Sequence, residues 1–168
     1  VLAATISVVA LPFILIAAFI LNLQGGTPFI RHERIGASNR RFTMIKLRTM
    51  LINDHGDPEL QKQNKVIPFG RFLRRTRIDE LPQILNVLRG EMSFVGPRPE
   101  RPVFVQNLAE KIPYYDVRHR VKPGITGWAQ INYPYGSTDE DARAKLSYDH
   151  YYVKNWNLFL DAVILFQT

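Results

Sequence analysis

The stretch Thr76-Arg77-Ile78-Asp79-Glu80-Leu81-Pro82-Gln83 decides how the chain is read. Two adjacent carboxylates follow arginines at 71, 74, 75 and 77, and an apolar helical pattern (Ile84, Leu85, Val87, Leu88) follows them. Thr76 and Asp79 have the spacing of a capping box, with Asp in place of the longer Glu or Gln. Pro82 is tolerated only in a first helical turn, where its missing N–H would be unpaired anyway. A helix is therefore expected to begin within a residue or two of Asp79, with Gly90 as its C′ stop. Asp79 and Glu80 then sit at the positive end of a helix dipole beside a cationic patch, where carboxylates stay ionised. An ionised carboxylate among phosphate-binding groups serves as a nucleophile or a metal ligand. The alternative is an acidic helix start paired with surface arginines.

Working outward, the 168-residue length suits a single domain with a real core. The absence of cysteine excludes disulfides and thiolate chemistry. The net charge of +7 points to an anionic partner: nucleic acid, a phosphorylated small molecule or an acidic membrane face. No charged residue precedes Arg31, and residues 1–23, VLAATISVVALPFILIAAFILNL, are almost wholly apolar. An apolar run of about 18 residues or more is a membrane-helix candidate. It has neither a basic leader nor a cleavage site, so a removable signal does not fit. The chain begins inside this run and ends in the apolar FLDAVILFQT, so a sequence trimmed at both ends is expected. Pro12, mid-run, predicts a kink. The helix then either spans the bilayer or turns back to the same side. The basic flank Arg31, Arg34, Arg40 and Arg41 directs the remainder, residues 24–168, to the cytoplasm.

Phe42–Met50 reads as a strand with Lys46 and Arg48 on one face, either gripping a phosphate or simply solvated. Asn53–Asn64 reads as a loop with a short helix. Pro68–Arg75 reads as a basic amphipathic helix, with Phe69, Phe72 and Leu73 apolar, that rests on lipid or packs on its own domain. Met92–Glu100 breaks regular structure, and its prolines at 97 and 99 hold Arg98 stiffly, either for phosphate recognition by a guanidinium fork or as a Gly-Pro turn with an incidental arginine. Val103–Ile112 is a further helix. Lys122–Gln130 is a turn leading into a short apolar segment, and Tyr133-Pro134-Tyr135-Gly136 is a second turn. Thr138 caps a helix running past Tyr152. All seven tyrosines and both tryptophans lie from Pro113 onward; the tyrosines either stack on a base or sugar or, for the most part, serve as core and membrane-interface residues. No zinc-ligand cluster, glycine-rich nucleotide loop or Ser-His-Asp order is present.

Taken in order, several blocks stand out. They are Lys46-x-Arg48-x-Met50, Gly70–Thr76, Asp79–Gln83, Asn86-Val87-Leu88-x-Gly90, Met92–Pro99 and Pro123–Trp128. Together they resemble the bacterial sugar transferases, that is, the monotopic phosphoglycosyl transferases or polyprenyl-phosphate glycosylphosphotransferases. The resemblance runs from the apolar segment nearly to the end. The tail from Tyr133 to Asn155 resembles the exopolysaccharide-initiating members.

The resemblance implies a reaction moving sugar-1-phosphate from a UDP-sugar to undecaprenyl phosphate, with release of UMP. It implies Asp79 as the nucleophile of a phosphosugar-enzyme intermediate, and Glu80 as its partner in catalysis and magnesium binding; both carboxylates are the expected Mg²⁺ ligands. Lys46, Arg48, Arg74, Arg75, Arg98 and Gln130 are the candidate phosphate and substrate contacts. It makes the Pro12 helix re-entrant and places the protein at the bacterial inner membrane, facing the cytoplasm. The expected fold is α/β, mainly helical with a few short strands. It is a membrane-anchored single domain, with residues 1–23 as the re-entrant helix and 24–168 as the catalytic domain. Partners are the two substrates and membrane lipid, not nucleic acid, with a homo-oligomer through the tail left open. Two rivals remain: a membrane-tethered polyanion-binding module without turnover, and a lipid pyrophosphate phosphatase.

Overall fold

The structure is a computed structural model that describes residues 2–51, 65–134, 136 and 138–168. The expected Asn53–Asn64 loop and Tyr135 of the second turn lie outside the described residues. The described chain is mostly helical with a few short strands, as expected. The helices are α1 (Leu2–Leu23), α2 (Pro68–Arg75), α3 (Ile84–Leu88), α4 (Pro102–Lys111), α5 (Trp128–Asn132), α6 (Asp139–Asn155) and α7 (Leu158–Gln167). The strands are β1 (Phe29–Ile35), β2 (Arg41–Leu47), β3 (Ser93–Val95) and β4 (Gly124–Thr126). Short 3-10 helices cover Ala37–Asn39, Ile78–Gln83 and Tyr115–Arg120.

The chain divides into two compact units, one of residues 1–32 and 43–89, the other of residues 33–42 and 90–168. The apolar helix α1 belongs to the first unit and is continuous through Pro12. Ala10, Ala17 and Leu21 are buried and share one helical stripe, whereas Val8, Leu11, Phe13, Leu15, Ile16 and Phe19 are exposed. Ala17 and Leu21 pack with Leu47 of β2, Ile67, and Leu73 of α2, with Phe69 and Ile78 laid against them. Among the described residues α1 is the one helix long and apolar enough to cross a membrane. Strand β1 pairs with β2, so the basic flank after α1, read only for its charge, is itself a strand. A lone alternation Phe29, Arg31, Glu33 was too polar to announce it.

The second unit has two apolar clusters. Ile35, Val105, Ile112, Tyr115 and Leu146 form one; Val95, Tyr152 and Ile164 form the other. The expectation that Met92–Glu100 lacks regular structure is corrected here. Strand β3 lies inside it and pairs in parallel with β4, Ser93 opposite Gly124 and Val95 opposite Thr126. Pairing across a gap of nearly thirty residues leaves no local pattern to detect. The close approach needs glycine: a Cβ on Gly124 would lie 2.1 Å from the Gly96 nitrogen, and one on Gly96 would lie 2.3 Å from the Lys122 carbonyl. Helices α4 and α6 fall where the sequence puts them, and Thr138 and Asp141 complete a capping box at the start of α6.

Candidate active site

The carboxylate pair lies in the 3-10 helix Ile78–Gln83, which runs directly into α3. Asp79 and Glu80 occupy its first turn, as expected, and Pro82 sits two residues before the α-helix proper, where its missing N–H is harmless. The expected capping box is not formed. Thr76 closes the preceding helix instead, its Oγ1 donating to the carbonyls of Phe72 at 2.9 Å and Leu73 at 3.2 Å. The residue before the turn is Arg77, with φ +58°, and this left-handed residue reverses the chain so that Thr76 faces back along α2. Asn86 of α3 is fully buried and ties the turn to β2: its Nδ2 donates to the Thr43 carbonyl at 2.8 Å, and its Oδ1 accepts from the Ile45 amide.

Both carboxylates are buried, Asp79 at 8% and Glu80 at 7% exposure. Lys46 Nζ donates to Glu80 Oε1 at 2.7 Å, both side chains being largely shielded from water. Asp79 Oδ1 has no hydrogen-bond partner although it is buried. Burial, and then the neighbouring Glu80 charge, push the Asp79 pKa up from its ordinary value, while Lys46 and Arg74 pull against that shift. The sequence anticipated the cations and not the desolvation, which only packing creates. A buried carboxylate oxygen without a partner is costly and suits an ion or ligand supplied from outside the chain. The donor set fits Mg²⁺, which takes one or two carboxylates and completes its shell with substrate phosphate and water. Asp79 with Glu80 would hold it. Among the described residues no group of three or more carboxylates or imidazoles gathers to offer a complete protein cage.

Four expected phosphate contacts belong to the same unit. Lys46 is at Glu80. Arg74 is exposed at the end of α2, and its Nε donates to Thr49 Oγ1 at 2.9 Å. Arg75 is exposed on the same helix. Arg48 is different: it is buried, and its Nη2 donates to the carbonyls of Leu21 at 3.2 Å and of Gly25. Thr49, buried and not singled out from sequence, orients Arg74; its place after Lys46-x-Arg48 was the available signal.

Arg98 and Gln130 belong to the second unit. Arg98 is half-buried between the buried prolines 97 and 99, and its carbonyl accepts from Arg118 Nη2 at 2.8 Å. Arg118 in turn pairs with Asp149 at 2.9 Å and donates to the Tyr115 hydroxyl at 2.6 Å. Neither Arg118 nor Asp149 was singled out, because thirty-one positions of sequence separate the two. Desolvation pushes the Asp149 pKa up, opposed by Arg118. Beside them, His119 is buried and its pKa falls to about 4, through burial and then the Arg118 charge. Gln130 Nε2 donates to the Ile125 carbonyl at 3.2 Å, and its buried Oε1 is unpartnered.

A profile of the family described as bacterial sugar transferase matches residues 1–168. Among similar curated proteins is the UDP-N-acetylgalactosamine-undecaprenyl-phosphate N-acetylgalactosaminephosphotransferase of Aeromonas hydrophila, 42% identical over 94% of this chain and 38% of that protein. The UDP-galactose-lipid carrier transferase of Erwinia amylovora is 36% identical over 99% of this chain and 37% of its own length. The UDP-glucose:undecaprenyl-phosphate glucose-1-phosphate transferase of Xanthomonas campestris pv. campestris is 43% identical over 85% of this chain and 31% of its own. The chain thus spans about a third of the length of these relatives.

Proposed function

The chain belongs to the bacterial sugar transferase family, and from that premise we propose that it transfers sugar-1-phosphate from a UDP-sugar to polyprenyl phosphate, releasing UMP. The names of its relatives, each an undecaprenyl-phosphate or lipid-carrier sugar transferase, support the reaction class. The observation that carries the reading is the buried Asp79 with an unpartnered oxygen, next to a Glu80 already engaged by Lys46.

In this reading an Asp79 oxygen attacks the phosphorus that bears the sugar. The bond from that phosphorus to the bridging oxygen of UMP breaks, UMP leaves with the electron pair, and a phosphosugar ester of Asp79 forms. A phosphate oxygen of the lipid carrier then attacks the same phosphorus and regenerates the carboxylate. Desolvation serves this step, because a carboxylate poorly stabilised as an anion gives its charge to an electrophile more readily. Lys46 neutralises Glu80 and orients it. Arg74, held by Thr49, and Arg75 offer guanidinium groups to phosphate oxygens. Magnesium bound through Asp79 and Glu80 would offset the diphosphate charge. The exposed apolar face of α1 anchors the domain in the inner membrane as a re-entrant helix, with the catalytic part in the cytoplasm, where a lipid-borne phosphate and a soluble nucleotide both reach it.

Asp79→Asn is expected to abolish UMP release from membranes given a panel of UDP-sugars and undecaprenyl phosphate. The panel also identifies the donor sugar. Substantial residual turnover in that variant removes Asp79 as nucleophile. Release of inorganic phosphate would favour a lipid pyrophosphatase, and binding without any release a polyanion-capturing module.

A further inference from the structure

Arg48 has a set of partners that a substrate contact does not need. Helix α1 ends at Leu23; in its last turn the Ile20 and Asn22 carbonyls accept from the Gln24 and Gly25 amides, and the Leu21 carbonyl accepts from a side chain. In an apolar setting such groups are expensive to leave bare. The Arg48 guanidinium supplies donors to Leu21 O and Gly25 O, and its own backbone amide donates to the Pro28 carbonyl at 2.8 Å. A cation at this position also meets the negative end of the helix dipole.

The linker is shaped around that guanidinium. Gly25 and Gly26 have φ of +80° and +86°, conformations that suit glycine, and a Cβ on Gly26 would lie 3.4 Å from Arg48 Nη1. Leu21, Gly25 and Gly26 therefore line one buried side chain, and Pro28 holds its backbone. Between Arg48 and Lys46 stands Leu47, 1% exposed, which packs in the same cluster as Ala17 and Leu21 of α1. Helix α1 also contacts the 3-10 helix Ile78–Gln83. One helix thus touches both carriers of the Lys46–Glu80 pair.

We propose that Arg48 is a positioning residue: it latches the carboxyl end of α1 to the end of β2, so that the seating of the apolar helix sets the geometry of Lys46 and Glu80 beside Asp79. The catalytic part of this inference rests on the phosphoglycosyl transferase reading; the latch itself does not. In this role Arg48 acts through Lys46, its Nη2 being committed to the Leu21 and Gly25 carbonyls while its buried Nε has no partner.

The test uses the whole chain in lipid nanodiscs, comparing wild type with Arg48→Gln, Arg48→Lys and Gly26→Ala. In Arg48→Gln, amide exchange across residues 21–28 is expected to quicken about tenfold, and acylation of the Lys46 amine, read by mass spectrometry, to quicken severalfold. UMP release should lose about tenfold in kcat, with KM for the UDP-sugar within about twofold. Arg48→Lys, which keeps one cationic donor, should recover part of all three. Gly26→Ala strains the linker through its positive φ while leaving the Arg48 side chain unchanged, and should move them the same way, which covers the case in which Arg48→Gln fails to fold. A raised KM with unchanged kcat and a protected linker would overturn the proposal, because Arg48 would then be holding a phosphate. A loosened linker with Lys46 acylation unchanged would overturn it equally. Should the wild-type chain release no UMP, the transferase reading fails, while exchange and acylation still score the latch.

Discussion

Asp79 combines a buried charge, an unpartnered oxygen and an upward-shifted pKa. The sign follows from linkage. The unfolded carboxyl ionises near its ordinary 3.8, whereas the folded one holds its proton to higher pH, so at neutral pH folding carries the cost of a buried anion, and that cost lessens as pH falls through the folded value. Two outcomes are expected. The acid limb of the kcat profile should lie above the ordinary carboxylate value, and Asp79→Asn should unfold at the same or a higher temperature while losing turnover. A clear fall in Tm would show the carboxylate to be structural. The opposite behaviour holds at His119, which folding keeps neutral down to about pH 4 against 6.5 for the free side chain. Its contribution to stability is complete above pH 6.5 and is lost as pH falls from there toward 4, with a slope of up to about 1.4 kcal/mol per pH unit. Urea titrations of His119→Gln between those limits should show a shallower acid slope than wild type.

At the scale of elements, α2 meets the segment after β2 with unusual closeness. A Cβ on Gly70 would lie 2.3 Å from the Thr49 carbonyl, and backbone cannot yield as a side-chain tip does. The same contact carries the Ile67 amide bond to Thr49 O at 3.1 Å and the Arg74 bond to Thr49 Oγ1. Gly70→Ala should therefore cost about 1–3 kcal/mol by overpacking, read as a lower urea midpoint with an unchanged m-value. It should also weaken donor binding, because Arg74 is displaced with the helix. Unchanged stability would mean that α2 seats itself elsewhere. The element boundaries here were legible in the residues: Pro68 at the helix start, the apolar Leu73, and Gly90 beyond α3. Strand β3 and the role of Thr49 were not, since each depends on a partner distant in sequence.

For the molecule as a whole, α1 is more than a tether, because its Ala17 and Leu21 complete the cluster of Leu47, Ile67 and Leu73. A chain beginning at Gln24 is expected to aggregate or to lose cooperative unfolding of the first unit, since those residues lose their apolar cover. Recovery of a folded, monodisperse protein from that truncation, judged by sedimentation and near-UV CD, would reduce α1 to an anchor. The residues themselves determined much: an apolar segment at 1–23, a basic remainder, a mainly helical pattern, the carboxylate pair at a helical start, and ordered blocks that resemble one family. Those properties rest on composition, periodicity and short spacings, all local along the chain. Tertiary structure alone decided that Asp79 is desolvated, that Lys46 engages Glu80, that Arg48 turns to the end of α1, and that Arg118 meets Asp149 beneath Arg98. Each joins residues far apart in sequence, and burial and pairing come into being only when packing brings such residues together.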